Sequence, residues 1–458
     1  MCGVAGLWSP RGGDAGALLA QARAMADTLA HRGPDDAGAW ADAASGLALG
    51  HRRLSVLDLS SSGHQPMASG DGRHVISYNG EIYNYAELHA ALEAEGRAPE
   101  WRGRSDTEVL LAAVSAWGMD RALQRVTGMF AFALWDTQEK TLHLARDRMG
   151  EKPLYYGWAG AVFCFASELK AWKAVPGPRP DIDRRALGLY ARYGNVPAPE
   201  CIYEGVRKLP AGAWLSLGAA QFARRELPEP RHYWTLARSA PFVGSESEAA
   251  DELERRLANA VRRQMISDVP LGAFLSGGVD SSTVVALMQA TSARPVKTFT
   301  IGFPEERYNE ADQASAVAAH LGTSHTELYV TPREAMDVIP KLPELYDEPF
   351  ADSSQIPTFL VSRLARTQVT VSLSGDGGDE LFGGYNRYFW GPRLWRWIGA
   401  WPQAVALADR PPAGVPASVP DEVVEDVAVR GCEQHGVFAG VGIGRAPRSA
   451  QGRRRRSF

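Results

Sequence analysis

Leu271-Gly272-Ala273-Phe274-Leu275-Ser276-Gly277-Gly278-Val279-Asp280-Ser281-Ser282 decides the fold of the second half of this chain. The apolar run Leu271 to Leu275 predicts a strand, and a helix is expected to begin near Ser281. Strand, glycine turn and helix in that order open a parallel, doubly wound sheet. Gly277 and Gly278 let the backbone approach a ligand closely. Consecutive N–H groups, the helix N-terminus and the Ser hydroxyls together form an anion cradle. No Gly-Lys-Ser/Thr follows, so this is not a Walker A loop. Asp280 offers a hard oxygen ligand for the Mg²⁺ that accompanies phosphates. A plain strand-to-helix turn with a capping Asp is the bland alternative.

Downstream, Val371-Ser372-Leu373-Ser374-Gly375-Asp376-Gly377-Gly378-Asp379-Glu380-Leu381-Phe382-Gly383-Gly384-Tyr385 repeats the device. Small residues again precede carboxylates at a strand end, the edge where parallel sheets bind nucleotides. Two such loops meeting there would suit ATP with magnesium. A helix over Ala249 to Met265, strands over Val296 to Ile301 and Val369 to Leu373, and a helix over Asn309 to Leu321 continue the alternation. Upstream, Lys208 to Trp234 is rich in Pro, Gly and charge, and predicts a connector between domains. The first stretch, to about Val206, reads as short strands with a few helices. Leu47 to Leu49, His74 to Tyr78, Phe130 to Trp135 and Thr141 to Arg146 are its strands; Ala15 to Ala30, Tyr85 to Glu95 and Thr107 to Trp117 are its helices. That pattern predicts a layered α+β domain.

The chain opens Met1-Cys2-Gly3-Val4. A small second residue permits removal of Met1, which leaves Cys2 with a thiol and a free α-amine. These groups ordinarily titrate at about 8.5 and about 8, so the amine can serve as general base for the thiol. His31-Arg32-Gly33-Pro34-Asp35, Arg53-Leu54-Ser55-Val56-Leu57, Asn79-Gly80-Glu81 and Arg104-Ser105-Asp106 are punctuated by turn residues, where binding groups commonly sit. A thiolate attacking a carboxamide needs an oxyanion hole, for which the Asn79 side chain and the Gly80 N–H are candidates. Arg53 would pair with a carboxylate in a bidentate fork, while Glu81 and Asp106 would hold an ammonium. For Asp106, beside a helix start, capping is the competing role.

Composition narrows the class. The 458 residues suffice for two or three domains, and a net charge of −4 supplies no basic field for nucleic acid. Four widely spaced cysteines (Cys2, Cys164, Cys201, Cys432) argue against a disulfide scaffold or a zinc site and suit a reducing, cytoplasmic setting. No signal peptide or membrane-length apolar run is visible, so no membrane partner is expected. After about Pro411 the helix pattern is abandoned, and the chain closes on Arg453-Arg454-Arg455-Arg456-Ser457-Phe458. A truncated or frame-shifted end is the expectation, ahead of a basic binding tail.

Cys2-Gly3, His31 to Asp35, Asn79 to Glu81, Ser276 to Ser281 and Ser374 to Glu380 together resemble the glutamine-hydrolysing asparagine synthetase family, over about residues 2 to 400. The resemblance implies a class II glutamine amidotransferase domain over 2–207, an N-terminal nucleophile sandwich of αββα layers. A linker over 208–235, an incomplete ATP-pyrophosphatase domain over 236–410 and an aberrant tail over 411–458 follow. Carried over, Cys2 matches the nucleophile, and Asn79 and Gly80 match the oxyanion and glutamine positions. Arg53, Leu54, Ser55, Val56, Leu57, Glu81 and Asp106 match the rest of the glutamine site. Ser276, Gly277, Gly278, Asp280 and Ser281 match the pyrophosphate loop, and Leu275, Ile301, Ser374 and Gly375 match positions around the adenosine. Asp280 and Asp379 match the magnesium carboxylates. Asp376 falls where many members carry a Glu that supports adenylation.

The implied reaction takes ammonia from glutamine and uses it to aminate a carboxylate adenylated by ATP, aspartate being the default acceptor. An amidotransferase for another carboxylate, in cell-surface biosynthesis, is the alternative. A phosphoribosyl amidotransferase is opposed by the Ser276 to Ser281 loop. A homodimer is a family expectation. Members continue through a helical region with a basic residue, typically Lys, whereas Lys341 is the last lysine here. Retained glutaminase with a defective synthetase half is therefore a further expectation. A non-catalytic binding protein is the competing class, opposed by Cys2 and both nucleotide loops.

Overall fold

The computed structural model describes residues 1–399 apart from 11, 178, 238–239 and 305–308. The stretch 411–458 read as an aberrant tail, with Cys432, lies outside the described residues. Among the described residues no helix is long and apolar enough to cross a membrane.

The first unit begins with β1 (Gly3–Trp8), β2 (Asp36–Asp42), β3 (Leu47–Arg53) and β4 (Met67–Ala68). It continues with β5 (His74–Ile82), β6 (Gly128–Asp136), β7 (Thr141–Arg146) and β8 (Tyr155–Ala159). β9 (Val162–Ala166), β10 (Val206–Lys208), β11 (Ala213–Gly218) and β12 (Arg231–His232) complete it. Two six-stranded antiparallel sheets result, ordered β10-β8-β9-β1-β3-β2 and β12-β11-β7-β6-β5-β4. Alternate residues of each strand face the other sheet: Val4, Leu49, Val75, Trp135, Leu144, Phe163 and Leu215 share one dry layer. Trp135 meets Trp8 edge-on at 5.0 Å, and its indole N–H donates to Asp42 Oδ2 at 3.2 Å. Truncating so buried an aromatic costs about 3–5 kcal/mol.

Helices close both outer faces. Leu18, Ala22 and Met25 of the helix Ala15–Asp27 pack on Ala5, Leu7 and Ala48. On the other side, Val109, Leu110 and Ala113 of the helix Asp106–Trp117 pack on Ile76, Tyr78 and Phe132. The layers run αββα.

Two sequence expectations change. The stretch 208–235 is not free connector: Ala213–Gly218 is β11, paired with β7 from Trp214↔Ala145 to Gly218↔Thr141. Its alternating Ala213, Leu215 and Leu217 fill the layer between the sheets, a signal that the flanking Pro and charge obscured. Asn79-Gly80-Glu81 is not a turn either. It lies inside β5, in register with Ala131, Phe130 and Met129 of β6. A Cβ on Gly80 would stand 2.3 Å from the Met129 carbonyl oxygen, so glycine here serves close strand approach.

The second unit holds a parallel sheet of β13 (Leu271–Phe274), β14 (Lys297–Gly302), β15 (Ser324–Tyr329) and β16 (Val371–Leu373), in the order β15-β14-β13-β16. Val261, Val284, Val285, Met288, Ala314 and Ala318, from the helices Glu246–Gln264, Val279–Thr291 and Ala311–Leu321, cover one face. Val361, Leu364 and Ala365 of the helix Gln355–Ala365 cover the other, against Phe274 and Phe299. The chain moves outward from β13 to β15, then returns to β16 on the opposite side. Between β13 and β16 lies the topological switch point, where open α/β sheets bind ligands.

Candidate active site

Cys2 precedes β1 and lines a cavity of about 60 Å³ with Arg53, Leu54, Val56, Leu57, Asn79, Gly80, Glu81, Asp106 and Lys152. The Leu54 amide donates to Cys2 Sγ at 3.4 Å. Burial pushes the thiol up, partly opposed by the neighbouring amino terminus and the Leu54 amide. The Met1 amine donates to the Arg32 carbonyl at 3.2 Å, and burial lowers it to about 5, with Arg32 and Lys152 adding to the fall against Cys2.

Asn79 is buried on β5, and its Nδ2 makes no hydrogen bond among the described residues. An unsatisfied buried donor in a pocket is unusual enough to mark a place for an incoming oxygen. Arg53 Nη2 donates to the carbonyls of Asp58 at 2.5 Å and Leu57 at 3.3 Å, and Nη1 donates to that of Ser60 at 3.2 Å. The guanidinium thus shapes its own loop besides facing the cavity. Ser55 does not line the cavity; its amide donates to Asp35 Oδ2 at 2.8 Å and pins the loop to the His31–Asp35 turn. From the second unit, the Asp268 amide donates to Val56 O at 3.0 Å while the Asp58 amide donates to Asp268 Oδ2 at 2.9 Å.

The capping alternative for Asp106 does not hold. Ser105 is the cap, its hydroxyl oxygen accepting from the Thr107 amide at 3.1 Å. Asp106 is therefore released inward, where its Oδ2 accepts from Tyr78 and Ile82. Burial raises its carboxyl in spite of those donors. Nearby, burial pushes Glu81 up to about 8, with the Asp106 charge acting in the same direction and Lys152 against it.

Ser276 to Gly278 form the turn from β13 into the helix Val279–Thr291. Ser281 Oγ lies 3.0 Å from Ser276 Oγ and accepts from the Ser276 amide at 3.2 Å; the Gly278 amide donates to Ser276 Oγ at 3.3 Å. Gly277 sits at φ +75°, where a side chain is strained. The second glycine loop follows the neighbouring strand β16, and the two touch: a Cβ on Gly375 would stand 2.7 Å from the Ser281 amide nitrogen. Leu275 and Ser374 close the ends of β13 and β16, and Ile301 lies near the end of β14. Ser374 donates its hydroxyl to Asp376 Oδ2 at 3.0 Å. Asp280 and Asp379 occupy first turns of the helices after each loop. No group of three or more metal-type side chains gathers among the described residues. Two carboxylates, one after each loop, would suit a Mg²⁺ that arrives on phosphates, which needs few protein ligands.

A second cavity, of about 480 Å³, separates the units; Met1, Arg32, Glu168, Lys208, Asp347, Glu348, Gln355 and Asp376 are on its walls. Met1 borders both cavities.

Residues 1–234 match the glutamine amidotransferase domain family, and residues 252–439 match the asparagine synthase family. The chain belongs to the glutamine-hydrolysing asparagine synthetase family. A Mycobacterium tuberculosis relative named "Putative asparagine synthetase (glutamine-hydrolyzing)" is 39% identical over 407 residues, covering 85% of this chain and 61% of its own. A Methanocaldococcus jannaschii relative named "Putative asparagine synthetase (glutamine-hydrolyzing) 2" is 39% identical over 389 residues, covering 81% and 73%. Asparagine synthetase 1 of Bacillus subtilis is 37% identical over 393 residues, covering 85% and 59%. The chain spans about three fifths of the length of the first of these relatives.

Within this asparagine synthetase family chain, sequence reasoning missed Tyr78, Gln65, Thr107, Met129, Lys152 and Val371 at the Cys2 cavity. Gln65 accepts from the Tyr78 amide at 2.7 Å and donates to Thr107 Oγ1 at 3.3 Å, linking three of them. Apart from Val371, which opens the second glycine-rich stretch, none lies in a motif the sequence analysis singled out for this site. Lys152 carried the one usable signal, a lysine followed directly by Pro153-Leu154-Tyr155-Tyr156. It is 2% exposed, and burial lowers its ammonium.

Proposed function

We propose that this chain hydrolyses glutamine at Cys2 and uses the nitrogen to amidate a carboxylate activated by ATP in the second unit, with aspartate as the default acceptor. The observation that carries the reading is Asn79 Nδ2, a buried donor without a partner in the cavity of Cys2. Once Met1 is removed, the α-amine of Cys2 takes the thiol proton, and sulfur adds to the side-chain amide of glutamine. Asn79 Nδ2 and the Gly80 N–H receive the negative oxygen. Ammonia leaves with that proton, and water cleaves the thioester to glutamate. Arg53 faces the glutamine carboxylate; Glu81 and Asp106 face its ammonium.

In the second unit the Ser276–Ser281 turn cradles pyrophosphate, while Leu275, Ile301, Ser374 and Gly375 flank the adenosine. Asp280 and Asp379 would hold magnesium, which neutralises phosphate charge when bound. The acceptor carboxylate attacks the α-phosphorus and expels pyrophosphate; ammonia then displaces AMP from the acyl-adenylate. Asp376 follows the second nucleotide loop and is on the wall of the larger cavity, which supports a role near the carboxylate that ammonia attacks. A passage shielded from water keeps ammonia unprotonated, because burial disfavours the cation.

Glutamate release and ATP–pyrophosphate exchange, measured separately on the purified chain with glutamine, ATP, magnesium and aspartate, test both halves. Under this reading both activities are expected, in place of the defective synthetase half that the sequence alone suggested, with Cys2→Ala losing glutamate release alone. Glutamate release that survives Cys2→Ala overturns the first half, and absence of exchange with every carboxylate tried overturns the second.

A further inference from the structure

We infer that Glu168 is a positioning residue that ties Cys2 to the segment 347–355 of the second unit, so that occupancy of the Cys2 cavity is transmitted to that segment. This rests on the glutaminase reading of Cys2. Arg32 Nε donates to the Cys2 carbonyl at 2.9 Å, and Arg32 Nη1 donates to Glu168 Oε1 at 2.6 Å. The other carboxylate oxygen, Oε2, lies 2.7 Å from Lys170 Nζ. Lys170 in turn reaches the second unit three ways. Its amide donates to Asp347 Oδ2 at 2.9 Å, its Nζ donates to the Glu344 carbonyl at 2.9 Å, and Nζ lies 3.7 Å from Asp347 Oδ1. The adjoining Glu348 is held from the same side: Oε1 accepts from the Ile202 amide at 2.8 Å, and Oε2 accepts from Tyr155 at 3.1 Å and Lys208 at 2.6 Å.

Charges therefore alternate without a break from Arg32 through Glu168 and Lys170 to Asp347. The four side chains are only 7%, 14%, 13% and 10% exposed, so water screens the ladder far less than a surface ion pair. His31 Nε2 closes the outer side of Glu168 at 3.0 Å. Burial alone would raise the Glu168 carboxyl, but the His31 hydrogen bond and the Arg32 and Lys170 cations hold it well below the usual carboxylate range. An anion so firmly ionised cannot release one cation without leaving charge uncompensated, so displacement of Arg32 is felt at Lys170. Asp347 opens the segment that, with Asp376, borders the larger cavity. Glu168, itself on the wall of the larger cavity, thus links the Cys2 backbone to Asp347, and any coupling it carries is reciprocal.

Amide hydrogen exchange across 347–355, before and after Cys2 is alkylated by an electrophilic glutamine analogue, tests the ladder. No acceptor is needed. Alkylation of the full chain is expected to change exchange there about fivefold or more. Lys170→Met and Glu168→Gln, which cut the ladder at two rungs, should abolish that response, and Lys170→Arg should restore it. Glu168→Gln keeps the shape of the side chain, and Lys170→Met leaves the Arg32–Glu168 pair in place. Exchange that does not respond in the wild type, or responds equally in Lys170→Met, overturns the inference. A Cys2 that ignores the analogue overturns the glutaminase reading itself, a result readable by intact mass before any exchange is measured.

Discussion

Tyr78 donates its hydroxyl to Asp106 Oδ2 at 2.8 Å, and the Ile82 amide donates to the same oxygen at 2.9 Å. Both side chains are buried and line the Cys2 cavity, so two fixed donors hold the Asp106 carboxylate in place on its wall. Tyr78→Phe removes one donor and leaves the acceptor buried. A loss of about 1–3 kcal/mol in unfolding free energy is expected. The glutamine KM should rise as Asp106 loses that hold. An unchanged melting temperature and KM would show that the hydroxyl is idle.

Glu81 gives a pH signature. Its carboxyl is pushed up to about 8 from an ordinary value of 4.5, first by burial and then by the Asp106 charge. A raised carboxyl contributes stability that is fully present below the unfolded value and lost as pH rises through the folded one. Unfolding free energy should therefore fall between about pH 5 and about pH 8, and Glu81→Gln should remove that part of the slope. Glutamine binding runs the other way, because only the ionised form attracts its ammonium. Affinity should strengthen toward pH 8 in the wild type and stay flat in Glu81→Gln, as read from KM across the range.

Asp268 belongs to the second unit but accepts from the Asp58 amide at 2.9 Å, beside the loop that lines the Cys2 cavity. Asp268→Ala removes one exposed hydrogen bond, a loss of about 0.5–1.5 kcal/mol. If loop order is what that bond supplies, the glutamine KM should rise by roughly two- to tenfold with kcat unchanged. A fall in kcat at constant KM would contradict the clamp.

Gly375 is where the two nucleotide loops meet, with the Ser281 amide nitrogen 2.7 Å from the position of an added Cβ. Gly375→Ala must push backbone against backbone. ATP affinity measured by calorimetry should fall by about tenfold or more, a penalty of overpacking size. Glutamine hydrolysis, centred on the other unit, should survive. Equal loss of both activities would point to global misfolding.

Much of the fold was legible along the chain. The alternation of strands and helices after Ala249, the glycine turn at Ser276–Gly278 and the second turn at Ser374–Gly377 are local patterns, and three of the four strands of the parallel sheet were read from them, whereas β15 and the helix Gln355–Ala365 were not. Strands without such punctuation were harder. β8, β9 and β11 are short and aromatic- or Leu-rich, flanked by Pro and charge, and become strands through their neighbours in the sheet.

The order of motifs by itself determined the family, the α/β character of the second half and part of the wall around Cys2, because glycines, caps and small-residue turns act on their immediate neighbours. Only the tertiary structure decided that Asn79-Gly80-Glu81 is strand, that Ser105 caps so that Asp106 turns inward, and that Ser55 faces away. It alone placed Lys152 beneath the cavity and joined Arg32 to Asp347 through Glu168 and Lys170. Most of those outcomes depend on burial and on partners twenty or more residues away. A carboxylate or ammonium carries no mark in the chain of which distant group will desolvate or neutralise it.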